Sequence, residues 1–441
     1  MISTVSGCRL WVRPWGFILA VLPLGLLGSC SSPQEAGLLP NLVVFLADDL
    51  GWNDVGYQGS PIQTPNIDRL ASEGVRLERF YTFPSCSPAR VALMTGRSPN
   101  RMGIGDPIGP GRPKPPLDER FFPESLQSTG YQTWLIGKWH LGGSEDPRYL
   151  PRRRGFEQFY GHIGGGIDYY QHTHFRRHTA DWYRNEQPIQ EEGYSTDLLT
   201  AEARGRLQGR DKSRPFFLYL SFNAPHIPLQ APEESTEEKY EAIFDAERRT
   251  YAAMTEAMDT AIGKVLATLD EEGLRDNTLV LFVSDNGGNE EFGGADNGPF
   301  RGEKHTFFEG GTRVPAVMRW TGVLPAGRAS EQVMSMMDCF PTLMAALKVT
   351  PGNNKPFDGR NMWSQLLGQQ ADMPPHGMVM AKSREQGAVW DGPWKLVQQP
   401  DRRLLFRIKE DPREENDLSA ERPEVVDELT SYFQEMTQNL H

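Results

Sequence analysis

The sequence predicts an α/β fold: a mostly parallel, mixed sheet sandwiched by helices. The first observation is a set of continuous apolar runs rich in β-branched and aromatic residues, at residues 42–47 (LVVFLA), 131–136 (YQTWLI), 215–221 (PFFLYLS) and 278–284 (TLVLFVS). Runs without polar alternation suit strands buried on both faces. The second is what separates them. Residues 197–207 and 246–270 carry Ala, Leu, Met and Glu at helical spacing, and alternating strands and helices imply a sheet covered on both sides. At 441 residues, 38% hydrophobic and 24% charged, the chain can bury a large core and a smaller second unit.

Residues 1–30 read as a targeting segment, outside the fold. Arg9 and Arg13 are followed by an apolar run at 15–28 that contains Pro23 and is too short to span a membrane comfortably. It ends in L-G-S-C at Cys30. Small residues before a cysteine resemble a bacterial lipoprotein signal, which would make Cys30 the lipidated mature N-terminus; an ordinary cleaved signal is the other reading. Either implies export, and the first implies a lipid anchor at the periplasm or cell surface. The chain has four cysteines. Cys8 leaves with the signal, Cys30 is cleaved or lipidated, and Cys339 sits in an apolar helical run (MMDCFPTLMAAL) as a buried thiol. At most one disulfide is then possible, and Cys86 is left with a chemical role to explain.

Each predicted strand ends in polar residues. Run 42–47 leads into Asp48 and Asp49, and 131–136 into G-K-W-H with Lys138 and His140. Run 215–221 leads into N-A-P-H with His226, and 278–284 into Asp285-Asn286-Gly287. Singly, these are ordinary turns and caps. In open α/β sheets, however, ligands bind outside the carboxyl ends of the strands, so four such clusters converge on one site. Asp48, Asp49, Asp285 and Asn286 offer oxygen ligands suited to calcium or magnesium rather than zinc. Arg90, Lys138 and Lys304 can offset the acid and hold an anionic substrate. Cys86 precedes a predicted helix, with Ser85 or Ser87 as its cap and Pro88 in its first turn, so the positive end of that helix is expected to face the site. These residues point to an oxyanion-ester hydrolase with a metal and a nucleophile near position 86. A net charge of −12 argues against nucleic-acid binding.

The motifs C-S-P-A-R at 86–90 with T-G-R after it, D-D-L-G-W-N-D at 48–54, G-K-W-H-L-G at 137–142, N-A-P-H at 223–226, S-D-N-G at 284–287 and E-G-G-T-R-V-P at 309–315 together resemble the type I sulfatases, of the arylsulfatase and N-acetylgalactosamine-6-sulfatase kind, on the alkaline-phosphatase-like scaffold. The resemblance runs from about residue 40 to the end. It implies that a maturation enzyme oxidises Cys86 to formylglycine, whose hydrate attacks sulfur with one hydroxyl and releases sulfate by deprotonation of the other. It further implies one calcium ion, with magnesium second, held by Asp48, Asp49, Asp285, Asn286 and modified residue 86. Arg90 and Lys138 would hold the hydrate, and His140 would be the base that frees sulfate. His226 and Lys304 would bind sulfate and assist the leaving group, with Lys138 also touching substrate.

Residues 148–178 hold six arginines and four histidines against only Glu157 and Asp168. The functional reading is a recognition loop for a polyanionic sulfated glycan, with His174, Arg176 and Arg177 as its contacts; the plain reading is a solvated basic loop. His305, beside Lys304, is a further pocket candidate. After residue 351 the character changes: N-N-K-P-F-D-G-R reads as a linker, followed by short strand-like runs and a final helix. The resemblance implies a small C-terminal antiparallel-sheet subdomain here, with Trp390 and Trp394 in its core. The expected organisation is therefore a leader at 1–30, a catalytic domain at 38–350 and a subdomain at 351–441. Two other functions fit parts of the pattern: a phosphate or phosphonate monoester hydrolase, and an unmodified, lipid-anchored sulfoglycan-binding protein.

Overall fold

The computed structural model describes Trp11 and residues 39–233, 237–243, 245–352, 355–375 and 377–440. Cys30 and the leader lie outside the described residues. The main sheet has ten strands. Its centre is five parallel strands in the spatial order Thr278–Ser284, Asn41–Ala47, Phe216–Ser221, Gln132–Lys138 and Gln158–His162. Beyond Thr278–Ser284 the strand Ala316–Arg319 pairs antiparallel, and beyond Gln158–His162 a short antiparallel ribbon follows. The sheet is thus mixed but mostly parallel, as the unbroken apolar runs require.

Alternation along each strand decides which layer it feeds. Leu42, Val44 and Leu46 join a core with helices Cys86–Thr95 and Met336–Ala346. Val43, Phe45 and Ala47 join the opposite core with helices Pro65–Glu73, Ser195–Gln208 and Ala246–Glu271. The apolar runs of the sequence are therefore two interleaved faces, each covered by helices. Cys86 and Cys339 are both buried and both free thiols.

The C-terminal sheet is antiparallel, formed by Met378–Ala381, Gly387–Asp391, Trp394–Gln398 and Arg403–Arg407. One face, including Met380, Trp390 and Phe406, extends the core around helix Cys86–Thr95. The other packs on helix Pro423–Met436 through Val389, Leu396, Leu429 and Phe433. Trp390 is fully buried, whereas Trp394 is half-buried under Arg407. Residues 355–360 of the predicted linker are held by tertiary contacts. Asp358 accepts from Ser98 N (2.8 Å) and pairs with Arg101 (2.8 Å), and Phe357 packs on Phe340. Its polar composition satisfied tertiary partners that the sequence did not reveal.

Candidate active site

All five parallel strands deliver their carboxyl ends to one edge, and the polar clusters meet there. Asp48 and Asp49 follow the central strand, Lys138 ends its neighbour but one, and Asp285 and Asn286 follow the strand on the other side. Asp49 adopts a left-handed backbone, φ 66°, which an aspartate tolerates better than most residues. That bend lets consecutive carboxylates take separate partners. Asp48 accepts from Lys138 Nζ at 2.6 Å. Asp49 accepts from Lys304 Nζ at 2.6 Å on both oxygens, and from Asn286 Nδ2 at 2.7 Å.

Arg90 lies one helical turn beyond Cys86 and is completely buried. Its Nε and Nη2 donate to Asp285 Oδ2 at 2.9 and 2.8 Å, and its Nη1 donates to Ser221 Oγ at 2.6 Å and to the Lys138 carbonyl at 3.2 Å. One guanidinium therefore joins the ends of three strands, a task its planar fork suits. Cys86 is the first residue of its helix, where the partial positive charge of the helix end is concentrated. Neither predicted serine caps that helix with its side chain. Ser85 occupies the cap position but makes no capping bond, and Ser87 Oγ instead donates to the His140 carbonyl and accepts from Ile108 N, both at 2.9 Å. The Ser87 hydroxyl is drawn into a tertiary contact that fixes the backbone of His140.

His140 has a positive φ of 56°, and a methyl group on Gly165 would come within 2.7 Å of its ring. Burial, with Lys138 and Arg90 adding to it, holds His140 well below the usual imidazole range. Its Nδ1 is buried without a hydrogen-bond partner. His226 Nδ1 bonds the Ile227 carbonyl at 2.6 Å, leaving Nε2 3.6 Å from Asp49 Oδ2. Burial pushes His226 down to about 3, against the pull of Asp49. Burial also opposes the charge on Lys304, yet Asp49 draws its pKa well above the usual range. His226 is thus a neutral imidazole and Lys304 an ammonium.

The cluster suits a hard cation. Asp48, Asp49, Cys86 and His226 each place a ligand atom within 4.8 Å of the others. Asp48 Oδ1 and Asn286 Oδ1 are buried without donors, an arrangement that costs free energy unless something satisfies them. Burial pushes Asp48 up to about 7, with Asp285 and Asp49 adding to the rise and Lys138 and Arg90 opposing it. Crowded carboxylates and orphaned oxygens are the donor set of calcium or magnesium. Asp285 and Asn286 lie alongside: Asp285 Oδ2 is committed to Arg90, and Oδ1 accepts from Asp49 N at 3.3 Å.

Outside the cluster lies a cavity of about 610 Å³ lined by Cys86, His140, His226, Lys304 and His305 on its inner side. His174, Arg176 and Arg177 line it as well. The basic stretch therefore divides. Arg148 pairs with Asp146, Arg152 and Arg153 with Glu186, and Arg154 is buried over Phe121. His162 ends a buried strand and His172 stacks on Trp182. Among the described residues, Arg176 stacks over Phe175 and Arg177 lies near enough to Asp181 to oppose the rise that burial gives its carboxyl pKa, but neither forms a close ion pair with a carboxylate. Sequence reasoning gave no role to Ser221, to Asp181, which accepts from Ile163 N and Gly164 N, or to Asp54. Asp54 holds the chain after Asp49 by accepting from Gly51 N and Tyr251 OH and pairing with Arg248. Asp54 sits in the quoted D-D-L-G-W-N-D run, so its proximity to Asp49 was the available signal; Ser221 and Asp181 carry none.

Comparison with known proteins agrees with this arrangement. The sulfatase family model matches residues 40–349. Human N-acetylgalactosamine-6-sulfatase is 32% identical over 476 aligned positions, covering 93% of this chain and 87% of that one. Mouse arylsulfatase J is 36% identical over 337 positions, covering 74% of this chain; the chain spans only 56% of that relative's length. Among solved structures, Ps i-CgsB in complex with k-i-k-neocarrahexaose superposes with a TM-score of 0.85 at 32% identity, covering 91% of this chain and 93% of that one. The PsFucS1 sulfatase from Pseudoalteromonas sp. superposes with a TM-score of 0.77 at 26% identity, covering 91% of each chain.

Proposed function

Because the chain belongs to the sulfatase family, a family of sulfuric ester hydrolases, we propose that it hydrolyses sulfate monoesters of a carbohydrate, using residue 86 as formylglycine and one calcium ion. The observation that carries this reading is a buried cysteine at a helix start, inside a ring of three carboxylates and three cations. A thiol without redox or disulfide partners has no structural need of such a setting. Residue 86, Asp48, Asp49, Asp285 and Asn286 would hold the ion, which supplies Lewis-acid polarisation of an oxygen.

The chain's own residues divide the remaining work. Lys138, Lys304 and Arg90 concentrate positive charge where the sulfuryl group must sit, which favours charge building in the transition state. A sugar alkoxide leaves poorly, so a proton must reach its oxygen. Lys304 carries one, and neutral His226 orients beside it. His140, held uncharged by burial and by the neighbouring cations, is ready to accept a proton from residue 86. At the mouth, Arg176 and Arg177, with His174, have unspent charge to offer a second anionic group of the glycan. The names of relatives that act on N-acetylgalactosamine 6-sulfate or bind a neocarrahexaose support a glycan substrate.

The test pairs two measurements on protein expressed with a formylglycine-generating enzyme. The peptide containing residue 86 is expected at the mass of the aldehyde or its hydrate, and the protein should release sulfate from sulfated sugars far faster than phosphate from matched phosphate esters. Cys86→Ala should lose all turnover, and joint replacement of His174, Arg176 and Arg177 should raise KM on oligosaccharides. An unmodified thiol where a control sulfatase is matured, or equal phosphatase activity, would refute the proposal.

A further inference from the structure

A second hollow lies beside the catalytic cavity and shares part of its wall. Phe175 and Ile227 line both, and the second, about 450 Å³, is also walled by Pro228, Leu229, Thr250 and Phe292. Phe292 is 64% exposed, one of few large apolar side chains left in water among the described residues. A lone exposed ring needs no explanation, but this one borders a groove that shares Phe175 and Ile227 with the catalytic cavity. Its turn is also firmly held. Asn289 Oδ1 accepts from Phe292 N at 3.1 Å, and Glu303 accepts from Glu290 N and Glu291 N at 2.6 and 2.9 Å. The Gly294 carbonyl accepts from Arg248 Nη1 at 2.9 Å. A ring on a pinned backbone loses little freedom when a ligand covers it.

The two hollows differ in chemistry. The inner cavity carries Lys304, Arg176 and Arg177, while the groove has no cation among its described lining residues and has Glu247 at its edge. A sulfated or carboxylated ring would be disfavoured there, and an uncharged ring with an exposed C–H face would be favoured. Phe175 separates the two, packing edge-on against His226 at 6.0 Å on one side and lining the groove on the other. We propose that the groove is a second sugar subsite, in which an uncharged ring next to the sulfated one stacks its C–H face on Phe292. This rests on the sulfated-glycan reading above. It makes the enzyme selective for extended glycans in which sulfated and neutral rings adjoin.

The test is affinity by calorimetry on the full chain carrying the unmodified Cys86 thiol, so that no substrate is consumed. The probes are galactose 4-sulfate, a carrageenan tetrasaccharide in which that sugar alternates with neutral anhydrogalactose, and a chondroitin 6-sulfate tetrasaccharide, whose neighbouring rings are carboxylated. The wild-type protein is expected to bind the carrageenan tetrasaccharide about tenfold tighter than the monosaccharide. Phe292→Ala should remove that advantage without changing monosaccharide affinity, and Phe292→Trp should keep it. Equal affinity for the monosaccharide and the carrageenan tetrasaccharide, a length advantage that survives Phe292→Ala, a preference for the carboxylated chain, or binding of none of the probes would overturn the subsite. Because the readout is binding, failure of the matured enzyme to hydrolyse sulfate would refute the proposed reaction and leave the groove to be judged separately.

Discussion

At the scale of single residues, what matters is which partner each charge has. Arg90 spends its donors on Asp285, Ser221 and the Lys138 carbonyl, so it positions the strand ends as much as it serves chemistry. His140 differs. Its side-chain Nδ1 has no partner, its ring lies where a methyl group on Gly165 would meet it, and burial, with the surrounding cations, keeps it neutral. A base with no other bond to satisfy is the group whose removal should stall only the last step. His140→Ala is therefore expected to release one equivalent of alcohol in a burst and then stop, with sulfate retained on the protein. Rapid-quench product analysis and intact mass would show it, and steady multiple turnover would remove His140 from the mechanism.

At the scale of elements, the C-terminal sheet reaches the catalytic layer through a buried triad. Lys395, from strand Trp394–Gln398, bonds Glu309 at 2.9 Å and Glu414 at 2.8 Å, and all three side chains are fully buried. Glu309 begins the E-G-G-T-R-V-P motif and also accepts from Tyr81 OH at 2.9 Å. Two carboxylates share one ammonium. Burial pushes Glu414 up to about 7, with Glu309 adding to the rise and Lys395 opposing it, while Glu309 stays lowered: burial opposes its charge, but Lys395 and Arg313 stabilise it. A folded pKa above the unfolded value means that the folded protein holds its proton more tightly. The stability this confers is complete below about pH 4.5 and is lost as pH rises to about 7. Relative to Glu414→Gln, the wild-type protein should lose roughly 3 kcal/mol across that window. Denaturant midpoints at several pH values would show the divergence, and parallel curves would mean that Glu414 titrates alike in the folded and unfolded chain.

At the scale of the whole molecule, stability and function meet at one sheet edge. The carboxylates of Asp48, Asp49 and Asp285 are buried at the strand ends, each beside a basic side chain, and Asp48 Oδ1 is still left without a donor, which is costly. A bound ion should stabilise the entire fold, because ligand binding to the folded state alone raises its unfolding free energy. Calcium added to chelated protein is expected to raise Tm by about 3 °C or more at saturating concentration, with magnesium less effective. A Tm indifferent to both ions would remove the metal from the proposal. No helix among the described residues is long and apolar enough to cross a membrane.

The sequence by itself determined the layers. Residues 42–47, 215–221 and 278–284 are so continuously apolar that only a doubly covered strand can bury them, and Asp48, Lys138, His226 and Asp285 therefore had to fall near one edge. Local chemistry is written in local residues. Tertiary structure alone decided the pairings: that Ser87 would brace His140 rather than cap its own helix, that Arg90 would take Ser221, and that Arg148 and Arg152 would form close ion pairs with acids while Arg176 and Arg177 would not. It also decided that Phe292 would border a groove that shares Phe175 and Ile227 with the catalytic cavity. Each of these depends on groups far apart in the chain, whose approach is set by how sheets and helices pack rather than by any spacing along the sequence.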